Sequence, residues 1–139
     1  MGRADLGYVG YRWEGSMIKG KFSPDMFIFL DTETTGTGTN HRLCQIAFKI
    51  KGGYTVNEPF NPGMPISIDA MTVHHITNEM ALDKPIFRDS DTWRKLQDLV
   101  NSDGYVMVAH NAAFDVDTLK KEGIETEKWD LHPETGPLF

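Results

Sequence analysis

The chain predicts an α/β domain built on a mixed sheet, and three observations carry that expectation. Three apolar segments come early, joined by turns rich in glycine and proline; stretches with helical spacing follow; a last apolar strand then runs directly into a helix. A meander of strands, then helices, a strand and a helix gives layers of helix on sheet.

The elements follow in order. Residues 1–25 hold five glycines (Gly2, Gly7, Gly10, Gly15, Gly20) among scattered aromatics, show no helical or strand period, and read as an N-terminal extension. Residues 26–139 form the domain proper. The first strand spans about Met26 to Asp31. The second, Cys44 to Ile50, alternates Cys44, Ile46, Phe48 and Ile50 against Gln45, Ala47 and Lys49, which suits one buried and one less buried face. Gly52-Gly53 closes a hairpin onto a third strand, Tyr54 to Phe60, which Asn61-Pro62-Gly63 ends. Between Ile66 and Ala81 short helical turns are expected, capped by Ser67 and by Thr77, with His74 and His75 at their junction. Asp89 or Ser90 caps a longer helix to about Val100, whose Trp93, Leu96, Leu99 and Val100 form an apolar stripe, and Gly104 follows its end. The strand Tyr105 to Ala109 leads, through Asn111 as cap, into a helix from Ala112 to about Glu122, with Gly123 as its stop.

Length and charge set the outer limits. At 139 residues and 40% hydrophobic, the chain is one domain that buries roughly two thirds of its unfolded surface. Twenty acidic against 14 basic side chains give a net charge of −6, which excludes a broad basic surface for nucleic acid, so any polyanion must be held locally. A bound divalent cation can do this. Cys44 is the single cysteine, so no internal disulfide or thiolate zinc cluster is expected, and the cytosol is the default location. No signal-type apolar stretch and no run near the 18 residues of a membrane span is present, and no membrane partner is expected.

The chemistry concentrates in two segments. MFIFLDTETTG, Met26 to Gly36, delivers Asp31 and Glu33 to the end of a strand, where period-two alternation points both carboxylates the same way. Thr34, Thr35 and Gly36 turn the chain out of the sheet, and Gly36 lets backbone approach a ligand closely. VAHNAAFD, Val108 to Asp115, supplies a third carboxylate at a strand-to-helix junction. Three acids meeting where strands end suit Mg²⁺ or Mn²⁺, which prefer oxygen ligands.

DTETTG (Asp31 to Gly36), IDAMTVHHITNEM (Ile68 to Met80), DKPIF (Asp83 to Phe87) and VAHNAAFD together resemble the DEDD-type 3′–5′ exonucleases, in particular their DEDDh-like branch. The likeness covers about 100 residues, Met26 to roughly Glu127, and is nearest to the proofreading epsilon subunit of DNA polymerase III and its stand-alone relatives. It implies a ribonuclease-H-like fold that removes nucleotides from the 3′ end of single-stranded DNA or RNA by two-metal hydrolysis. Position by position, it makes Asp31, Glu33 and Asp115 catalytic metal ligands, with Asp31 bridging both ions. Thr34, Thr35 and Gly36 contact the terminal nucleotide, Asn111 and Phe114 line the same cleft, and His75 falls near the substrate-contact segment. Asn111 also has a role as helix cap, Phe114 as core, and His74 and His75 as polar residues at a loop–helix join.

The family's third motif, a histidine followed five positions later by an aspartate on a later helix, has no counterpart. After Asp115 the only histidine is His132, and five positions on stands Pro137. The domain therefore reads as C-terminally truncated relative to the family, lacking its last helices. Three outcomes stay open: an exonuclease, weak alone or completed by a partner chain; a metal- and nucleic-acid-binding module without turnover; or a fragment of a longer enzyme. The apolar surface left by absent helices also favours self-association.

Overall fold

A computed structural model of the chain describes residues 27–50, 53–102 and 105–127, and the backbone alone of 9–11. Five strands, β1 (Val9–Tyr11), β2 (Phe27–Thr34), β3 (Leu43–Ile50), β4 (Thr55–Pro59) and β5 (Val106–Ala109), lie in the order β1-β5-β2-β3-β4. β2–β3 and β3–β4 are antiparallel, β2–β5 is parallel and β1–β5 antiparallel, so the sheet is mixed as expected. Helices α1 (Ile68–His74), α2 (Asn78–Leu82), α3 (Asp91–Asn101) and α4 (Ala112–Lys121) surround it, with a 3₁₀ turn at Phe87–Asp89.

Two expectations about strands need correction. β2 does not stop at Asp31 but runs to Thr34, because the β-branched Thr32 and Thr34 suit an extended chain and Thr32 and Glu33 pair across to Ile46 and Gln45. Residues 1–25 are not simply an extension, because Val9–Tyr11 adds a short antiparallel edge to β5. Three residues around a glycine are too short to show a period, so the pairing is legible only once β5 offers its edge. Met26, Lys51, Gly52 and Gly104 lie outside the described residues; of the expected hairpin, Gly53 N–H donates to Ile50 O at 2.9 Å.

The alternation expected for β3 is broken once, with consequences for both faces. Glu33 pairs with Gln45 but Thr34 with Leu43, so the register skips Cys44 in a β-bulge. Leu43 thereby joins the main core with Ile28, Leu30, Ile46, Phe48, Leu96, Val100, Met107, Val116 and Leu119, under α3 and α4. Cys44 instead packs with Ile66, Ile76 and Ala81, and with Ala70 and Met71 of α1, in a second, smaller cluster.

The helix caps follow their sequence signals. Ser67 Oγ accepts from Ala70 N–H at 3.0 Å, Thr77 Oγ1 from Met80 N–H at 3.1 Å and Ser90 Oγ from Trp93 N–H at 3.1 Å. Asn111 differs: it stands at the N-cap of α4, yet with φ −130° and ψ 75° its side chain makes no capping bond. Phe114 likewise is half-buried at the surface of α4 and not a member of the core.

The C-terminal end of α4 is locked by a buried acid. Glu122, 3% exposed, takes two hydrogen bonds from the Arg42 guanidinium at 2.8 and 3.1 Å and one from Leu43 N–H at 3.2 Å. Its own carbonyl accepts from Trp93 Nε1–H at 2.9 Å and Arg88 Nε–H at 3.3 Å. Gly123 follows at φ +87°, and a Cβ there would run into the Arg88 guanidinium. Gly123→Ala is therefore expected to lower unfolding free energy by about 1–3 kcal/mol, from left-handed strain and the displaced Arg88; a denaturant midpoint equal to that of the unmodified chain would contradict this packing.

Candidate active site

Unequal strand lengths create the site. β5 pairs only with Phe27, Ile28 and Phe29 of β2, so beyond Phe29 the backbone edge of β2 on that side is left without a strand. α4 begins just after β5 ends and brings Asp115 into the gap in its first turn. Thr32 Oγ1 donates to Asp115 Oδ1 at 2.6 Å, and the Thr32 backbone also bonds the carboxylate. An acid thus does for β2 what a neighbouring strand would otherwise do.

Asp31 and Glu33 flank Thr32 on the opposite pleat, Asp31 exposed and Glu33 half-buried. Burial raises the Asp115 carboxyl to about 6; the Thr32 bonds pull it down, while the charges of Asp31 and Glu33 push it further up. Burial also raises Glu33, Asp31 adds to that, and His74 opposes it. The three acids therefore sense one another at the ends of the parallel pair β2–β5, the usual place for a ligand crevice in such sheets. They do not converge as fully as expected. Among the described residues no three His, Cys, Asp or Glu side chains stand close enough to hold one metal ion, because Asp115 is drawn onto Thr32 and like charges disfavour closer approach. As donors they nonetheless fit a hard divalent cation: all are carboxylate oxygens, and two have pKa values raised in part by repulsion that a cation would offset.

Beside the acids opens a cleft of about 520 Å³, bounded by β2, the loop that follows it, α1 and α4. Thr32, Glu33, Thr34, Gly36 and Phe114 line it, and Ala70 and Val73 of α1 add apolar surface. Thr34 Oγ1 donates to Gly36 O at 2.7 Å, which shapes the turn. Thr35, by contrast, is buried away from the cleft, where its hydroxyl accepts from Arg42 N–H at 3.0 Å and its carbonyl from Ser67 N–H at 2.9 Å. Asn111 is exposed and is not part of the cleft lining.

Of the histidine pair, the fold places His74 in the cleft lining and His75 outside it. His75 takes the left-handed C-cap position of α1 at φ 64° and is exposed, whereas His74 lines the cleft. His74 Nδ1 accepts from Ile76 N–H at 3.0 Å, which places the ring proton on Nε2, 2.9 Å from Thr34 O. His74 thus pins α1 to the end of β2. No sequence signal separates two adjacent histidines; the turn between α1 and α2 decides which one faces the sheet. Gly36 is also less constrained than expected, since an added Cβ would meet only Ser67 Oγ, at an ordinary 3.6 Å.

An α/β sheet of this order with carboxylates at the end of its central strand defines a nuclease-like domain of ribonuclease-H type. The RNase T family, described as Exonuclease, matches residues 28–128, and the chain belongs to it. It is 38% identical over 107 residues to the DNA polymerase III epsilon subunit of Buchnera aphidicola from Acyrthosiphon pisum, covering 68% of this chain and 43% of that protein. An uncharacterized exonuclease of Escherichia phage 186 is 32% identical over 114 residues, covering 77% of this chain and 56% of the relative. Among solved structures, exonuclease X in complex with 5′ overhanging duplex DNA aligns with TM-score 0.50 and 31% identity over 68% of this chain and 54% of that one. The chain thus spans about half the length of these relatives. Among the described residues no helix is long and apolar enough to cross a membrane.

The raised Asp115 carboxyl gives a signed expectation. An unfolded aspartate titrates near 3.9 and the folded one at about 6, so the folded state binds that proton more tightly. The stability this contributes is full below about pH 4 and lost as pH rises through about 6, a gap worth up to about 3 kcal/mol at roughly 1.4 kcal/mol per pH unit. In EDTA, Asp115→Asn is therefore expected to match the parent chain near pH 4 and to melt higher above pH 6; a melting-temperature difference that does not change with pH would contradict the burial of a charge here.

Proposed function

We propose that this domain hydrolyses phosphodiester bonds at the 3′ end of single-stranded DNA or RNA with divalent cations, as a 3′–5′ exonuclease. The observation that carries the reading is the placement of Asp31 and Glu33 on β2 with Asp115 beside them in the gap left by β5. These three carboxylates would hold Mg²⁺ or Mn²⁺. Bound there, such ions supply charge for an attacking water and a leaving 3′ oxygen. The chain's own residues supply the rest. Thr34 and Gly36 present a turn against which a terminal sugar can lie, and Val73, Ala70 and Phe114 offer an apolar wall for a base, whose π-face stacks without regard to sequence. Thr35 serves indirectly by holding that turn.

A specific observation favours a second reading. Among the described residues no histidine follows His110, and no three potential ligands are gathered at metal-binding range. A module that binds a cation and a 3′ end with little turnover, or one completed by a partner chain or a second copy, fits that geometry, since general acid–base help is typically worth 10²–10⁴-fold. The cytosol, where the epsilon subunit's replicative work would place it, is the compartment proposed.

The assay that separates the two follows 5′-labelled single-stranded DNA and RNA with Mg²⁺ or Mn²⁺ beside an identically prepared Asp31→Ala control. A ladder shortening from the 3′ end, absent in the control, is expected for the exonuclease; a folded chain giving no ladder leaves the binding module. Gly36→Ala adds a finer probe. Its melting temperature is expected to stay within about 2 °C because the added methyl makes only ordinary contact, while 3′-end binding weakens by about tenfold if substrate backbone packs against the turn. Unchanged binding would remove Gly36 from the contact surface.

A further inference from the structure

Outside the acid cluster, one buried titratable side chain touches the cleft from behind. His41 is 5% exposed and lies at the end of the loop that follows β2. Its ring stacks on Phe114, with centroids 4.5 Å apart and planes 17° from parallel. Nδ1 is 2.7 Å from Gly38 O, which only accepts, and 3.1 Å from Lys121 Nζ, which only donates; the shorter contact, to Gly38 O, assigns the proton to Nδ1. Nε2 is 2.9 Å from Thr118 Oγ1, itself 2.9 Å from Phe114 O on the same helix. Asp117 and Lys121, also of α4, flank the ring at 3.8 and 3.1 Å. Gly38 and Phe114 both line the cleft.

We propose that His41 is a positioning residue for the cleft, fixing the Gly36–Arg42 loop and the Phe114 ring relative to each other so that a nucleic-acid 3′ end meets a preformed wall. The role rests on the exonuclease reading of the cleft. The ring ties three things that no other described contact ties together: the loop through Gly38 O, the helix through Thr118, and the aromatic wall through stacking. The stacked imidazole restricts the orientations open to the Phe114 ring. The polar bonds matter differently. With His41 gone, Gly38 O loses its side-chain donor; the loop keeps the backbone bond from residue 41 N–H to Gly38 O at 3.2 Å, the Thr35–Arg42 pair at 2.9 Å and the Lys121 ammonium on Thr39 O, none of which touches the Phe114 ring. Ordering of the wall would then be charged to substrate binding.

The test compares the full chain with His41→Phe, His41→Asn and Thr118→Val, each first shown to melt cooperatively. Amide exchange is read at residues 35, 41 and 42, and binding of a 5′-labelled single-stranded oligonucleotide is read by anisotropy with Ca²⁺ in place of Mg²⁺. His41→Phe keeps a ring against Phe114 but has no donor for Gly38 O; it is expected to exchange faster at these amides and to bind about tenfold more weakly. His41→Asn retains a donor at the Nδ1 position and is expected to recover binding to within about threefold of the parent. Thr118→Val, which removes the Nε2 partner together with the Thr118 hydroxyl's own contact to Phe114 O, should fall between them. Equal binding by His41→Phe and the parent overturns the positioning role, as does failure of His41→Asn to recover it. A parent chain that binds no oligonucleotide overturns the exonuclease reading itself, and this role with it.

Discussion

The hydrogen bonds between Thr32 and Asp115 are the constraint on which the site depends. β2 is eight residues long and β5 four, and the mismatch leaves polar backbone of β2 facing the start of α4. Buried backbone donors are nearly always satisfied, and here the satisfying group is a carboxylate. The arrangement costs desolvation, visible in the raised Asp115 carboxyl, and recovers part of it through a charge-assisted bond worth roughly 1.5–3 kcal/mol. What it secures is position. An acid on a helix is fixed beside two acids on a strand, 82 and 84 positions earlier in the chain, without any of the three touching.

That tension is resolved by neither Arg nor Lys. The strong cation pairing in this half of the domain goes elsewhere: Arg42 is committed to Glu122, and Lys121 to Asp117. Among the described residues His74 is what favours a charged Glu33, and its ring is already engaged, Nδ1 accepting from Ile76 N–H and Nε2–H donating to Thr34 O. In a domain of net charge −6, three acids with no cationic side chain paired to them among the described residues form a site whose repulsion a hard cation would offset. With a cation held there, attraction for a polyanion would be confined to one point instead of spread over a face.

Local signals were legible and non-local ones were not. Ser67, Thr77 and Ser90 cap the helices their spacing suggests, and Leu96, Leu99 and Val100 are buried on the stripe that their periodicity draws. The family motifs carried the nuclease class, which the matched region 28–128 bears out. The bulge at Cys44 was invisible because Cys44 stands in phase with Ile46, and only the pairing of Thr34 with Leu43 reveals the extra residue. Phe114 reads both as cleft lining and as core; its half-buried ring lines the cleft, and its stacking on His41, 73 positions away, has no sequence signal. The choice of His74 over His75 was likewise beyond a linear reading, because it turns on a single left-handed residue.

The two sides of the cleft are built to different standards. Its floor is β2, paired with β3 along its length and with β5 over Phe27–Phe29, and packed into the main core through Ile28 and Leu30. Its outer wall is α1, which buries none of its residues and leaves Ile68 and Val73 exposed at 75% and 74%. That helix is held to the floor mainly by His74 to Thr34 O and by Ser67 N–H to Thr35 O, both of which end on the turn after β2. Few buried contacts mean a low free energy of local opening, whereas the carboxylates sit on the elements hardest to open. Under the proposed exonuclease reading, a site that holds charges in register while admitting and releasing a strand would need that division. The bonds from α1 to Thr34 and Thr35 place the softer wall under the control of the same turn that carries the first motif, so displacement at that turn is felt by wall and acids together.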